Sequence, residues 1–180
     1  MICAIVLVAI GILLYLLAPK RKRGKEQPEK YPVNFEAVRK YFKFPDEVDF
    51  ILRRVEDFVK AHPELGSLVN PYAFTLAVRQ QESGRPGREF GVLHPEAIDT
   101  DLKTQLEWFL WTLLKDTERW SSGKLWNNWD KDQFKDFIEY FAKKYAPVGA
   151  ENDPRGLNRF WEKNVRHYYE LFRAEGGEKE

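Results

Sequence analysis

Cysteine is almost absent from this chain: the one thiol, Cys3, lies inside an apolar N-terminus. No disulfide framework and no cysteine-based zinc site can be built from it. Histidine is scarce too, and His62, His94 and His167 are scattered, so neither a metal site nor a cofactor is expected. Negative charge is missing from residues 1–25, which hold five basic side chains (Lys20, Arg21, Lys22, Arg23, Lys25). The rest carries 24 basic against 28 acidic residues, a net charge of −4. With no basic stripe, that balance argues against nucleic acid as a partner. Internal repeats, low-complexity blocks and long strand patterns are also lacking. At 180 residues, the chain reads as one mainly α domain.

What is present begins with a long apolar run. Met1 to Leu17 is broken only by Gly11 and Tyr15, and Ala18-Pro19 ends it. At about 1.5 Å per residue it is near the lower limit for spanning a bilayer. A cleaved signal peptide carries its positive charge before the apolar stretch, whereas here the charge follows it. Residues 1–19 therefore read as an uncleaved single-span anchor contacting the lipid bilayer. Residues 20–32 read as a basic, charged linker. The positive-inside rule then predicts the N-terminus outside and residues 20–180 facing the cytoplasm.

The body, residues 33–174, shows helical periodicity. Val48, Ile51, Leu52, Val55, Phe58 and Val59 form one apolar stripe between Pro45 and His62. Asn70-Pro71 supplies an N-cap and a proline at the first helical position, starting a helix that ends near Glu82, with Gly84 suited to its C-terminal cap. Residues 84–99 contain Gly84, Pro86, Gly87, Gly91 and Pro95, so a loop or small hairpin is expected. Asp99 or Thr100 is expected to cap the next helix, with Leu102, Leu106, Phe109, Leu110, Leu113 and Leu114 facing the core. Further helices are predicted over 132–144 and 155–173, separated by Tyr145-Ala146-Pro147 and a loop over 149–154. The Gly/Glu-rich tail, 175–180, is expected to fray.

The sharpest chemical feature is Gln80-Gln81-Glu82-Ser83-Gly84. A carboxylate in the last turn of a helix faces the negative end of the dipole, which disfavours its ionised form. Partial burial against an aromatic raises its pKa further. Glycoside cleavage needs such a group, an acid still protonated near neutral pH and aimed at the leaving oxygen. Read alone, a glutamate after two glutamines is a solvated surface acid.

Its context changes that reading. The stretch from Asn70 to Gly84, followed by Phe90-Gly91-Val92, resembles the catalytic-helix signature of the lysozyme-like superfamily: goose-type lysozymes, lytic transglycosylases and glucosaminidases. A second stretch, Tyr145 to Pro154 continuing through Leu157-Asn158, Trp161 and Asn164-Val165, is similar to the C-terminal motif of glucosaminidase-like and phage lytic members. The resemblance spans about residues 65–170. It implies a lysozyme-like helical domain acting on peptidoglycan glycan strands, with Glu82 protonating the glycosidic oxygen and Tyr145 opposite it as second catalytic residue. Ser83, Phe90, Gln105, Asn152 and Asp153 would contact substrate. Phe90-Gly91-Val92-Leu93-His94 departs from the Gly-Leu-Met-Gln-like stretch of lytic transglycosylases, which favours a glucosaminidase or muramidase.

No second carboxylate is obvious; Glu89, Asp99, Asp101 and Asp153 are candidates by proximity. Asp153 before Pro154 also reads as a turn former, and Gln105 as part of a solvated helix face. Without a second acid, help from the substrate's N-acetyl group is the recognised alternative. Among the tryptophans, Trp126 and Trp129 in a polar stretch are the expected sugar platforms, the others being core. The charge rule puts the domain on the cytoplasmic side, away from a cell-wall substrate. That conflict leaves a cell-envelope enzyme of exceptional orientation, or a phage-encoded protein whose membrane is repackaged into the virion. The rival reading is an inactive lysozyme-like membrane or virion structural protein.

Overall fold

Asn70 and Pro71 begin the helix around which the molecule is built. The Asn70 Oδ1 accepts from the backbone N–H groups of Tyr72 (3.1 Å) and Ala73 (3.2 Å). A cap of this kind contributes about 1 kcal/mol. Pro71, at the first position, gives up an N–H that the helix would leave unpaired. Every residue from Pro71 to Val78 is buried, so this helix is surrounded on all sides.

The computed structural model describes residues 31–174, and among these the chain is mainly helical. Its helices are α1 (Phe35–Tyr41), α2 (Pro45–Ala61), the central α3 (Pro71–Glu82), α4 (Leu102–Ser122), α5 (Phe137–Tyr145) and α6 (Trp161–Phe172). Short 3₁₀ turns occupy Pro63–Gly66, Trp126–Asn128, Lys131–Gln133 and Leu157–Phe160. No strand forms among the described residues. A lone antiparallel bridge, Val33 to Arg173, ties the start of the domain to its end. Helices α3 and α6 pack most extensively against each other, and α2 lies against α3. The core gathers Phe74, Phe90, Phe109, Tyr140, Phe141 and Phe172, all fully buried. Each such ring contributes about 1.5–3 kcal/mol by leaving water.

Among the described residues, no helix is long and apolar enough to cross a membrane. The anchor expected over 1–19, most of the linker and the tail 175–180 lie outside the described residues. Tyr31 and Pro32, expected in the linker, already belong to the domain. Tyr31 packs against Tyr72 (6.1 Å between ring centroids), and the Pro32 carbonyl accepts from Asn70 Nδ2 at 2.9 Å.

Several boundaries differ from the sequence pattern. The helix expected over 132–144 starts at Phe137, because the Asp136 side chain caps it by accepting from Glu139 N. Phe134 is extended and packs with Trp120, Trp129 and Tyr140. The helix expected from 155 starts at Trp161, after a 3₁₀ turn. The cap of α4 is Asp101, which accepts from Thr104 N at 2.7 Å, and neither Asp99 nor Thr100 takes that role. Residues 84–99 form a turn-rich loop and no hairpin.

Candidate active site

Helix α3 ends at Glu82 because Ser83 takes the left-handed conformation (φ 46°, ψ 28°), with its N–H donating to the Arg79 carbonyl. Ser83, and not Gly84, makes the helix stop. Gly84 serves a close approach: a Cβ there would overlap the Arg88 carbonyl oxygen. The Arg79 side chain is held by Glu47 of α2 at 2.6 Å, which leaves Glu82 as the unpaired acid of the last turn.

The half-buried Glu82 carboxyl meets two elements. Trp161, the first residue of α6, donates its indole N–H to Oε1 at 2.6 Å. On the other side lies Gly91 (φ 68°), where a Cβ would overlap Oε2. Only glycine suits that position, both for its backbone conformation and for the space the carboxyl occupies. Burial lifts the Glu82 carboxyl above the ordinary glutamate value, and the Trp161 hydrogen bond, which favours the charged form, offsets part of that rise.

Gln105 of α4 holds the loop carrying Gly91. Its Oε1 accepts from Phe90 N (3.3 Å) and Val92 N (3.1 Å). Its Nε2 donates to the Val92 and Ala97 carbonyls at 2.9 and 2.8 Å. Tyr145 adds a further tie, its hydroxyl donating to the Phe90 carbonyl at 2.5 Å. The Tyr145 ring stacks on Phe141 (5.0 Å) and lies 5.6 Å from the Trp161 ring. Burial first, and then the nearby Glu82 charge, pushes the Tyr145 phenol well above its ordinary pKa, so it stays neutral.

The expected site residues thus separate. Glu82, Ser83, Phe90, Gln105 and Tyr145 come together, but in altered roles. Ser83 is exposed, and its hydroxyl donates to the Gln80 carbonyl at 2.6 Å. The Phe90 side chain is fully buried and stacks on Phe109 at 5.0 Å, so it offers nothing to a substrate. Gln105 is fully buried too, neither on a solvated face nor open to a ligand. Tyr145 reaches the site as a positioning residue, its proton committed to the loop. Asp153 is buried and accepts from Leu157 N (2.7 Å) and Asn158 N (2.9 Å). It therefore shapes the turn that delivers Trp161 and does not face a ligand. Asn152 is exposed in that same turn.

Trp126 and Trp129 are partly exposed as expected of platforms, but they lie elsewhere. They pack edge-to-face with each other, and Trp129 packs on Phe134 and Tyr140. On α4, Phe109 meets Tyr145 while Trp120 meets Tyr140. The helix between Phe109 and Trp120 is about 16 Å long, which separates the Trp pair from Glu82.

All four candidates for a second carboxylate are committed. Glu89 Oε2 accepts from Gly87 N at 3.0 Å. Asp99 is paired with Arg85 and Arg88, and the Arg88 hydrogen bond holds its carboxyl below the usual value. Asp101 is lowered by the Thr104 N–H that it caps, and Asp153 is bound as described. Among the described residues, no group of three or more His, Cys, Asp or Glu side chains is placed to hold a metal ion.

Residue-by-residue reading of the sequence missed the indole donor. Trp161 is one of the tryptophans expected in the core, and its signal is an N–H that must find a partner once buried. The arrangement provides one carboxyl with a pKa above the ordinary value, fixed between an indole and a glycine. No protein-family model, curated protein or solved structure matches this chain.

Proposed function

We propose that this chain is a membrane-anchored enzyme of lysozyme-like fold that cleaves peptidoglycan glycan strands as a glucosaminidase or muramidase. The observation that carries this reading is the Glu82 carboxyl, half-buried at a helix C-terminus, oriented by Trp161 and seated on Gly91. Because Oε1 accepts the indole N–H, the transferable proton resides on Oε2. Glu82 delivers it to the glycosidic oxygen as the bond to the anomeric carbon breaks. The resulting carboxylate takes a proton back from the water whose oxygen then bonds to the anomeric carbon, completing hydrolysis and restoring the acid. The candidate second carboxylates are bound elsewhere, which favours assistance by the substrate's N-acetyl oxygen at the anomeric carbon.

The placement of the chain's entry fits a tether. Tyr31 and Pro32 lie at the Asn70 end of α3, and Glu82 at the other, about 18 Å along the helix. A tether through residues 1–19 would therefore join the domain at the end of α3 opposite Glu82. The basic cluster at 20–25 favours a domain that faces the cytoplasm, which suits a membrane-containing phage virion better than a resident cell-envelope enzyme.

The engagement of all four candidate second carboxylates elsewhere also favours a different reading, a lysozyme-like protein that binds or scaffolds without cutting. The full chain in detergent, assayed on purified peptidoglycan beside Glu82→Gln, separates the two. A glycosidase releases fragments, and the variant loses about 10²–10⁴-fold in rate. Equal rates for both proteins would remove Glu82 as donor, and no release by either would favour the scaffold. Mass spectrometry of the fragments identifies the bond cut, anhydro ends marking a lyase.

A further inference from the structure

Helix α4 turns a second face to solvent, and that face carries Trp108 and Trp111. Thr104, Trp108, Trp111 and Lys115, spaced by three or four residues, line an open groove there together with Glu107. Trp111 is 46% exposed, yet Phe58 (5.1 Å) and His62 (5.0 Å) hold its ring edge-on. Trp108 lies flat against His94, 3.9 Å away with 22° between the planes. Both indoles are held in place by neighbours, and their exposure is a free-energy cost that a ligand would relieve. Glu107, paired with Arg54, and the exposed Lys115 put both signs of charge among the rings.

We propose that this groove is a carbohydrate subsite that takes an aminosugar ring of the same glycan strand, an inference that rests on the glycan-cleaving reading above. The C–H face of a pyranose covers the Trp111 and Trp108 rings, while Glu107, Lys115 and Thr104 exchange hydrogen bonds with its hydroxyl and acetamido groups. A lipid chain or an apolar helix would desolvate Glu107 and Lys115 without replacing their bonds to water; a sugar replaces them. The loop that seats Glu82 also reaches this face. His94, under Trp108, follows Gly91 by three residues, at most about 10 Å of chain. Gln105, one turn before Trp108 on α4, clamps the same loop.

The test uses the full chain in detergent carrying Glu82→Gln, titrated calorimetrically with chitotetraose, a soluble β-1,4-linked N-acetylglucosamine oligomer. The groove requires that Trp111→Ala and Trp108→Ala each weaken binding about tenfold. Lys115→Ala, an exposed change that leaves the core intact, weakens it about threefold, and Phe44→Ala, at the exposed residue just before α2, has no effect. Affinity indifferent to Trp108, Trp111 and Lys115, or no binding at all, overturns the subsite. Peptidoglycan release by the unsubstituted chain, measured alongside, keeps the two readings distinct. Release with tryptophan-independent binding removes the groove and leaves Glu82 standing. Tryptophan-dependent binding without release supports the groove and removes the enzyme.

Discussion

The indole N–H of Trp161 donates to Glu82 Oε1 at 2.6 Å, joining the first residue of one helix to the last residue of another. Trp161 is buried, and its ring is packed by Phe141 and Tyr145, so the donor cannot swing away. The bond favours the ionised carboxylate and so works against the burial that raises its pKa. Trp161→Phe keeps most of the packing and deletes the donor. A general acid acts while protonated, so its rate is lost as pH rises through its pKa. The variant is expected to move that alkaline limb to higher pH. The maximal rate falls about tenfold as the carboxyl loses its orientation. A pH profile of fragment release checks both effects. An alkaline limb shifted downward would contradict the role given to the indole.

The raised pKa of Glu82 also has a stability consequence of definite sign. Its folded value lies above that of the unfolded chain, about 4.3. The folded state therefore binds the proton more tightly. This contribution is complete below the unfolded pKa and is lost as pH rises through the folded one. Glutamine at this position stays neutral and still offers a carbonyl to the Trp161 N–H. Glu82→Gln should thus raise Tm at about pH 8, with the gain shrinking toward about pH 4. A gain that is larger in acid would mean that Glu82 is stabilised as a carboxylate.

These relationships were legible in the sequence to unequal degrees. Asn70-Pro71 declares a helix start by local chemistry alone, and the 48–59 stripe needs only its period. Both agree with the structure. Local cap preference points to Asp99 or Thr100, but Asp101 takes the cap: Asp99 is engaged by Arg85 and Arg88, and the Thr100 hydroxyl donates to the Ala97 carbonyl. Phe134 continues the apolar spacing of α5 but is buried in extended backbone among Trp120, Trp129 and Tyr140, a tertiary override that periodicity does not see. Gln105 lies three residues after Leu102 and four before Phe109, on the apolar stripe itself. A buried glutamine must satisfy its amide, and that was the available sign that it holds backbone rather than substrate.

The Gln105 clamp should be measurable in both stability and activity. Gln105→Ala leaves the buried Phe90 amide and the half-buried Val92 amide without their acceptor, at a cost of about 1–3 kcal/mol. It also frees the segment that seats Gly91 against Glu82, so fragment release should fall along with Tm. Hydrogen exchange resolved at these two amides is the direct readout. Protection unchanged from that of the native chain would show that another group holds the loop.

A second buried network should behave differently, because it lies away from Glu82. Asp116 of α4 is fully buried and accepts from Lys144 Nζ at 2.8 and 2.6 Å, from Arg119 at 2.9 Å and from the Tyr140 hydroxyl at 3.3 Å. It fastens α4 to α5 near the aromatic cluster of Trp120 and Trp129. Lys144→Met removes the closest cation from a buried carboxylate and is expected to destabilise the fold by about 3 kcal/mol. Pairing it with Asp116→Leu removes the stranded charge and should restore most of that loss, since a well-packed apolar pair often matches a buried ion pair. Thermal unfolding of the single and double variants decides the matter. If the double variant is no more stable than Lys144→Met, then the charge balance at Asp116 is not what the lysine provides, and its methylene packing against α4 is.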